Sequence, residues 1–152
     1  MTTQESVSQM WSAYGKECDA APGNYDVWYF GDNEADANEL VELVLAGIKR
    51  GTASALWAHE SDGEPIPKPG DLAIVTNWVG EAKCIIRTTE VNVVPYNEVS
   101  EDFAAIEGEG DKSLRHWRNL HWPYFTREML RIERELTDRI PIVCHQFELA
   151  FP

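Results

Sequence analysis

The chain has 152 residues, 43% of them hydrophobic, enough for one domain with a substantial core and too many for a disordered chain. Its formal net charge of −13 excludes a protein that coats DNA or RNA along its whole surface, since phosphate is repelled by such a surface. No apolar run approaches the roughly 18 residues of a membrane span, and Met1 to Ser6 shows neither a basic nor an apolar leader, so a soluble, cytoplasmic protein without a membrane partner is expected.

The first predicted element is a short helix over 4–18, with Met10, Trp11 and Tyr14 on one face. Residues 19–26 read as a loop, and Trp28-Tyr29-Phe30 as an extended aromatic piece closed by Gly31-Asp32-Asn33. The clearest helix spans 34–46. Ala37, Leu40, Val41, Val44 and Leu45 follow its period, Asp32 or Asn33 can cap it, and Glu34 and Asp36 suit the positive end of its dipole. Gly47 fits the left-handed position past its end, with Ile48 folding back onto it.

Thr52 to Trp57 reads as a strand, and 60–70, with three prolines and two glycines, as a loop. Asp71–Trp78 and Ala82–Val94 are predicted strands joined by Val79-Gly80-Glu81 into a hairpin, the second ended by Pro95. Ser100 can cap a short helix to Ile106, and Gly108 to Asp111 form a loop. Ser113–Leu136 is a long helical stretch that Pro123 is expected to break or restart. Near-alternating Val143, Phe147, Leu149 and Phe151 make a final strand. The order has no parallel βαβ repetition and predicts an α+β domain, a small β-barrel of about five to six strands decorated by helices.

Cys18, Cys84 and Cys144 are far apart and in no CxxC arrangement, which argues against a disulfide scaffold or a structural zinc site. No glycine-rich phosphate loop, GxSxG elbow, DxDxDG loop or HxxxH pair is present, so no cofactor or resident metal is expected, and His121 and His145 read as structural. Charge is uneven. Residues 112–139 hold seven of the 13 basic residues and four of the 26 acidic ones, which is either a cationic face on an acidic body or a solvated helix face.

Lys49 and Thr52 stand three apart at the helix-to-strand corner. A lysine beside a low-dielectric pocket can serve as a base, and a threonine hydroxyl needs such a partner to attack; a solvated lysine and an ordinary strand threonine fit the spacing equally. Glu107, just before Gly108, can orient that lysine or relay a proton, or be one surface acid among many. Arg115, Trp117, Arg118 and His121 crowd the start of the long helix, a mix that suits phosphate and base contacts, or a packed Trp117 with solvated arginines.

Phe30-Gly31-Asp32, then Ala37-Asn38-Glu39-Leu40, then Leu45-Ala46-Gly47-Ile48-Lys49-Arg50-Gly51-Thr52-Ala53-Ser54, resemble the ASCH domain family, whose fold is similar to the PUA β-barrel of RNA-modifying enzymes. The later Phe103-Ala104-Ala105-Ile106-Glu107-Gly108-Glu109-Gly110-Asp111 and Ser113-Leu114-Arg115-His116-Trp117-Arg118, with His121, resemble its longer bacterial branch. The resemblance spans residues 28–151 and implies a PUA-like barrel with a cleft at the helix-to-strand corner and an RNA- or nucleoside-related role. Small bacterial members are amidohydrolases that deacetylate N4-acetylcytidine, with a lysine, a threonine three positions on and a glutamate in an Ala-x-x-Glu context. Lys49, Thr52 and Glu107 match that pattern. Those enzymes carry an arginine two after the threonine, where this chain has Ser54; Arg115 or Arg118 is a candidate for supplying the cation from elsewhere.

The resemblance therefore implies a single domain over 1–152, with 1–27 as an N-terminal helix and loop extension and 28–152 as the barrel core. The leading expectation is a hydrolase of an acylated nucleoside: Thr52 attacks, Lys49 is the base, Glu107 orients it, and Ser54, Arg115, Trp117, Arg118 and His121 contact substrate. One alternative is a single-strand ribonuclease, with or without a divalent metal, in which Lys49, Arg115 and Arg118 hold the phosphate. The other is a non-catalytic RNA-binding module using the 112–139 face.

Overall fold

The computed structural model describes residues 2–18 and 23–152; residues 19–22 of the loop expected over 19–26 lie outside the described residues. In chain order the elements are α1 (Thr3–Glu17), β1 (Asp26–Trp28), α2 (Glu34–Leu45), β2 (Gly51–Ala55), α3 (Leu56–Asp62), β3 (Leu72–Thr76), β4 (Ala82–Pro95), α4 (Glu101–Glu107), α5 (Leu114–Arg131) and β5 (Pro141–Phe151). The strands form one sheet in the order β1-β3-β4-β5-β2. β1 runs parallel to β3 and the remaining neighbours are antiparallel. The α+β expectation with about five strands matches this mixed five-stranded half-barrel.

β4 and β5 are the long strands, and their ladder breaks register at Ile85/Ile86 and at Thr88/Glu90. Such irregularities bend and twist a ladder, which lets five strands curl around a hollow rather than lie flat. Alternate faces are packed by different helices. Phe103, Trp117, Phe125, Met129 and Ile142 make one cluster beneath α4 and α5, while Val41, Val44, Val75, Ile86 and Phe147 make another beneath α2. α1 opens on a capping box, Thr2 with Glu5, and lays Tyr14 against Leu72, Ile74 and Ile85.

Several elements differ from the sequence reading. The strand expected over Thr52–Trp57 ends at Ala55, and Leu56–Asp62 is helical, closed by Gly63 in the left-handed region at φ 68°. Ala58 is buried on the inner side of that turn, and Arg134 covers the Trp57 ring at 4.4 Å, so both aromatic and apolar faces find cover in a helix. β1 is Asp26–Trp28, two residues earlier than the aromatic piece suggested. Pro123 does not interrupt α5. A mid-helix proline costs about 3 kcal/mol, whereas each large side chain buried contributes about 1.5–3 kcal/mol. Trp117, His121, Phe125 and Met129 form one buried stripe that outweighs the loss.

Candidate active site

Lys49 owes its position to how α2 ends. Asn33 caps the helix start by accepting from Asp36 N–H, and the other end closes on Gly47 at φ 77°. There Gly47 N–H donates to Val44 and Ile48 N–H to Leu43, the paired bonds of a Schellman closure. Arg50 N–H then donates to the Ile106 carbonyl at 2.9 Å, tying this corner to the last turn of α4. Gly108 follows at φ 72°, and a Cβ there would collide with the Ile48 carbonyl. That close approach turns the Lys49 side chain inward against Glu107.

The Lys49 ammonium donates to three acceptors: Glu107 Oε1 at 3.3 Å, the Glu107 carbonyl at 3.4 Å and Glu109 Oε2 at 3.4 Å. It also lies 5.3 Å from the centre of the Phe30 ring. The second Glu107 oxygen accepts from Trp117 Nε1–H and faces His121 Nε2 at 3.4 Å. His121 Nδ1 lies 2.9 Å from the Trp117 carbonyl, which can only accept, so Nδ1 carries a proton and Nε2 is left to meet the carboxylate. The imidazole stacks on the Trp117 indole at 4.3 Å and 15°.

These contacts push two neighbouring carboxyls in opposite directions. Burial alone would raise Glu107, but the charges of His121 and Lys49 and the hydrogen bonds from His121 and Trp117 hold it at about 2. Burial raises the Glu109 carboxyl above the usual range; the Glu107 charge adds to this and Lys49 only partly offsets it. Burial would lower His121, yet the Glu107 carboxylate carries it above its ordinary value. The two neighbouring carboxyls are thus shifted apart, Glu107 downward and Glu109 upward.

The cluster forms one end of a cavity of about 1010 Å³. Trp28, Tyr29, Phe30 and Tyr124 give it an aromatic wall, while Thr52, Ser54, His59 and Asn119 add polar groups. Such a mixture of flat aromatic faces and polar groups suits a planar ligand with a polar edge. Ser54 Oγ lies 2.8 Å from His59 Nε2. His145, opposite Thr52 in the ladder, is bonded to Thr88 Oγ1 at 2.8 Å, and burial lowers its pKa to about 4.

Of the residues singled out from sequence, Lys49, Thr52, Ser54, Glu107 and His121 line this cavity. Trp117 stands behind Glu107 as a buried hydrogen-bond donor. Arg115 and Arg118 are both exposed on α5, and neither lines the cavity. The inward stripe of α5 is Trp117, His121 and Phe125, and these arginines fall outside it. The sequence reading missed Glu109 and His59. Glu109 was legible as the second acid of Glu107-Gly108-Glu109-Gly110, and His59 was hidden by taking its helix for strand and loop.

Glu107, Glu109 and His121 each present a ligand atom within 4.8 Å of the others. The Lys49 ammonium already stands against both carboxylates, so a divalent ion would have to displace a buried cation, and the set does not fit a resident metal.

A family model described as the ASCH domain matches residues 26–150. The crystal structure of an ASCH domain from Lactobacillus crispatus JV V101 is 37% identical with a TM-score of 0.87, covering 99% of this chain and 94% of that one. Protein EF3133 from Enterococcus faecalis V583 is 31% identical with a TM-score of 0.88, covering 96% of this chain and 88% of that one. The hypothetical protein PH0355, at 20% identity and a TM-score of 0.51, shares the fold alone. No curated protein matches the chain.

Proposed function

This chain belongs to the ASCH domain family, a PUA-like fold often linked to RNA binding, and on that footing we propose that its cavity hydrolyses an acyl group from a modified nucleoside. The observation that carries the reading is the split pair at the cavity end, Glu107 held ionised and Glu109 held toward its acid form around one buried ammonium. Lys49 has all three N–H bonds engaged, so its role here is electrostatic: it anchors both carboxylates. The proton-exchanging role expected of the lysine passes to Glu109. A nucleobase lies against the aromatic wall, its acylated exocyclic nitrogen reaches Glu109, and a cavity hydroxyl attacks the carbonyl. Thr52 is the hydroxyl that the amidohydrolase resemblance supplies, and N4-acetylcytidine is the model substrate.

The ribonuclease reading is the weaker one, because Arg115 and Arg118 do not reach the cavity and the lining Arg127 is already held by Asp32. Among the described residues no helix is long and apolar enough to cross a membrane. The reading is tested by incubating the purified protein with N4-acetylcytidine and following cytidine by chromatography. Cytidine release that is lost in Glu109→Gln, a variant expected to keep the fold, supports it, and the absence of product from folded wild-type protein overturns it.

A further inference from the structure

The geometry points to Ser54 and His59 as a nucleophile–base pair of the cavity, with Ser54 Oγ forming the covalent acyl intermediate on a small ester or amide. This rests on the hydrolase reading for its substrate class and changes the attacking atom. Ser54 Oγ and His59 Nε2 are 2.8 Å apart and both residues line the cavity. A hydroxyl becomes a nucleophile when a base sits within hydrogen-bond reach, and Ser54 has one. No such partner stands against the Thr52 hydroxyl among the described residues. A second hydroxyl–imidazole contact, Thr88 with His145, has both members buried, and Thr88 does not line the cavity.

His59 Nδ1 is buried and has no hydrogen-bond partner among the described residues. The tautomer with its proton on Nδ1 leaves the Nε2 lone pair free to accept from Ser54. Asp62, three residues on, does not orient this ring, because its two oxygens are taken by Arg131 at 2.9 and 3.0 Å. The pair is thus a dyad held by the short helix α3. Ser54 is a cavity-facing residue of β2 two positions beyond Thr52, so a carbonyl entering along that strand meets both hydroxyls, one with a base and one without.

The reaction balances over two half-steps. In the first, Ser54 Oγ bonds to the acyl carbon and its proton passes to His59 Nε2, while the bond to the leaving nitrogen breaks and that nitrogen takes a proton from the Glu109 carboxyl. In the second, water attacks the acyl carbon and gives a proton to the Glu109 carboxylate, the Ser54–acyl bond breaks, and His59 returns its proton to Oγ. The products are the free amine and a carboxylic acid, and the protein ends as it began.

The test uses a fluorophosphonate, which bonds to an activated serine with loss of fluoride, followed by peptide mapping of the adduct by mass spectrometry. The wild-type protein is expected to carry the adduct on Ser54, Ser54→Ala to lose it, and His59→Gln to be labelled about a hundredfold more slowly, since glutamine keeps a hydrogen bond but cannot take the proton. An adduct on Thr52, no adduct on Ser54, or labelling of His59→Gln at the wild-type rate overturns the assignment. Turnover of N4-acetylcytidine is measured alongside. Turnover that persists in Ser54→Ala removes this inference and leaves the hydrolase reading standing; labelling of Ser54 without turnover does the reverse.

Discussion

Lys49 Nζ stands 3.3 Å from Glu107 Oε1 while each side chain is 1% exposed, so neither charge is solvated by water and each depends on its protein partners. A buried pair adds little over a well-packed apolar pair, but removing one partner strands the other without water. Lys49→Met is therefore expected to destabilise the domain by about 3–5 kcal/mol, read from urea denaturation at neutral pH. The double change Lys49→Met with Glu107→Gln is expected to recover part of that loss. Equal stability of wild type and Lys49→Met would contradict the buried ion pair.

The same cluster sets how stability depends on pH. Glu107 is held at about 2 in the fold against an ordinary 4.5, so its contribution is complete above pH 4.5 and is lost as pH falls toward 2. His121 is raised above its ordinary 6.5, so its contribution is complete below 6.5 and is lost as pH rises through the elevated value. Glu109, raised above 4.5, binds its proton more tightly folded than unfolded and favours the fold on the acid side of its own titration. Melting temperature is thus expected to be highest between about pH 4.5 and 6.5, with the low-pH decline flattened in Glu107→Gln. A maximum above pH 8 in the wild type would contradict the assignment.

In the proposed reaction Glu109 is the proton-transfer group. Glu109→Gln keeps a polar group of the same shape beside Lys49 but cannot exchange a proton, and is expected to lower kcat by about 10²–10⁴-fold with the fold retained by circular dichroism. Because the protonated form donates first, wild-type turnover is expected to fall as pH rises through a value above the ordinary 4.5 of glutamate. That limb should be missing from Glu109→Gln. Its persistence there would assign the titration to another group.

Gly108 couples the two segments that build the site. Its φ of 72° and its approach to the Ile48 carbonyl exclude a side chain. Gly108→Ala is expected to destabilise the fold by about 1–3 kcal/mol from backbone strain alone and to part Lys49 from Glu107. Melting temperature and turnover should fall together. Loss of neither would show that this corner is looser than the structure has it.

Much of this site was legible in the chain because it is written in local signals. The helix over 34–46 showed its period, its Asn33 cap and its Gly47 closure, and these alone place Lys49 at a helix-to-strand corner. The Lys49–Glu107 pairing was not local: the two residues are 58 apart, so the residues alone left it as one option beside a surface acid, and the family resemblance favoured it before the fold did. That Arg115 and Arg118 lie away from the cavity was not legible, because three-residue spacing says that side chains share a face but not which face turns inward; Trp117 and Phe125 decide that by burial. His59 was lost for the opposite reason. A seven-residue helix carries too little period to stand out from a strand that leads directly into it.

The most direct measurement is a crystal of the protein soaked with cytidine, which asks whether the cavity takes a nucleoside and which way the base faces. The account predicts the base against Trp28, Tyr29 and Tyr124, with its exocyclic nitrogen within hydrogen-bond reach of Glu109. A nucleoside bound on the outer face of α5 beside Arg115 and Arg118, with none in the cavity at saturating concentration, would contradict it.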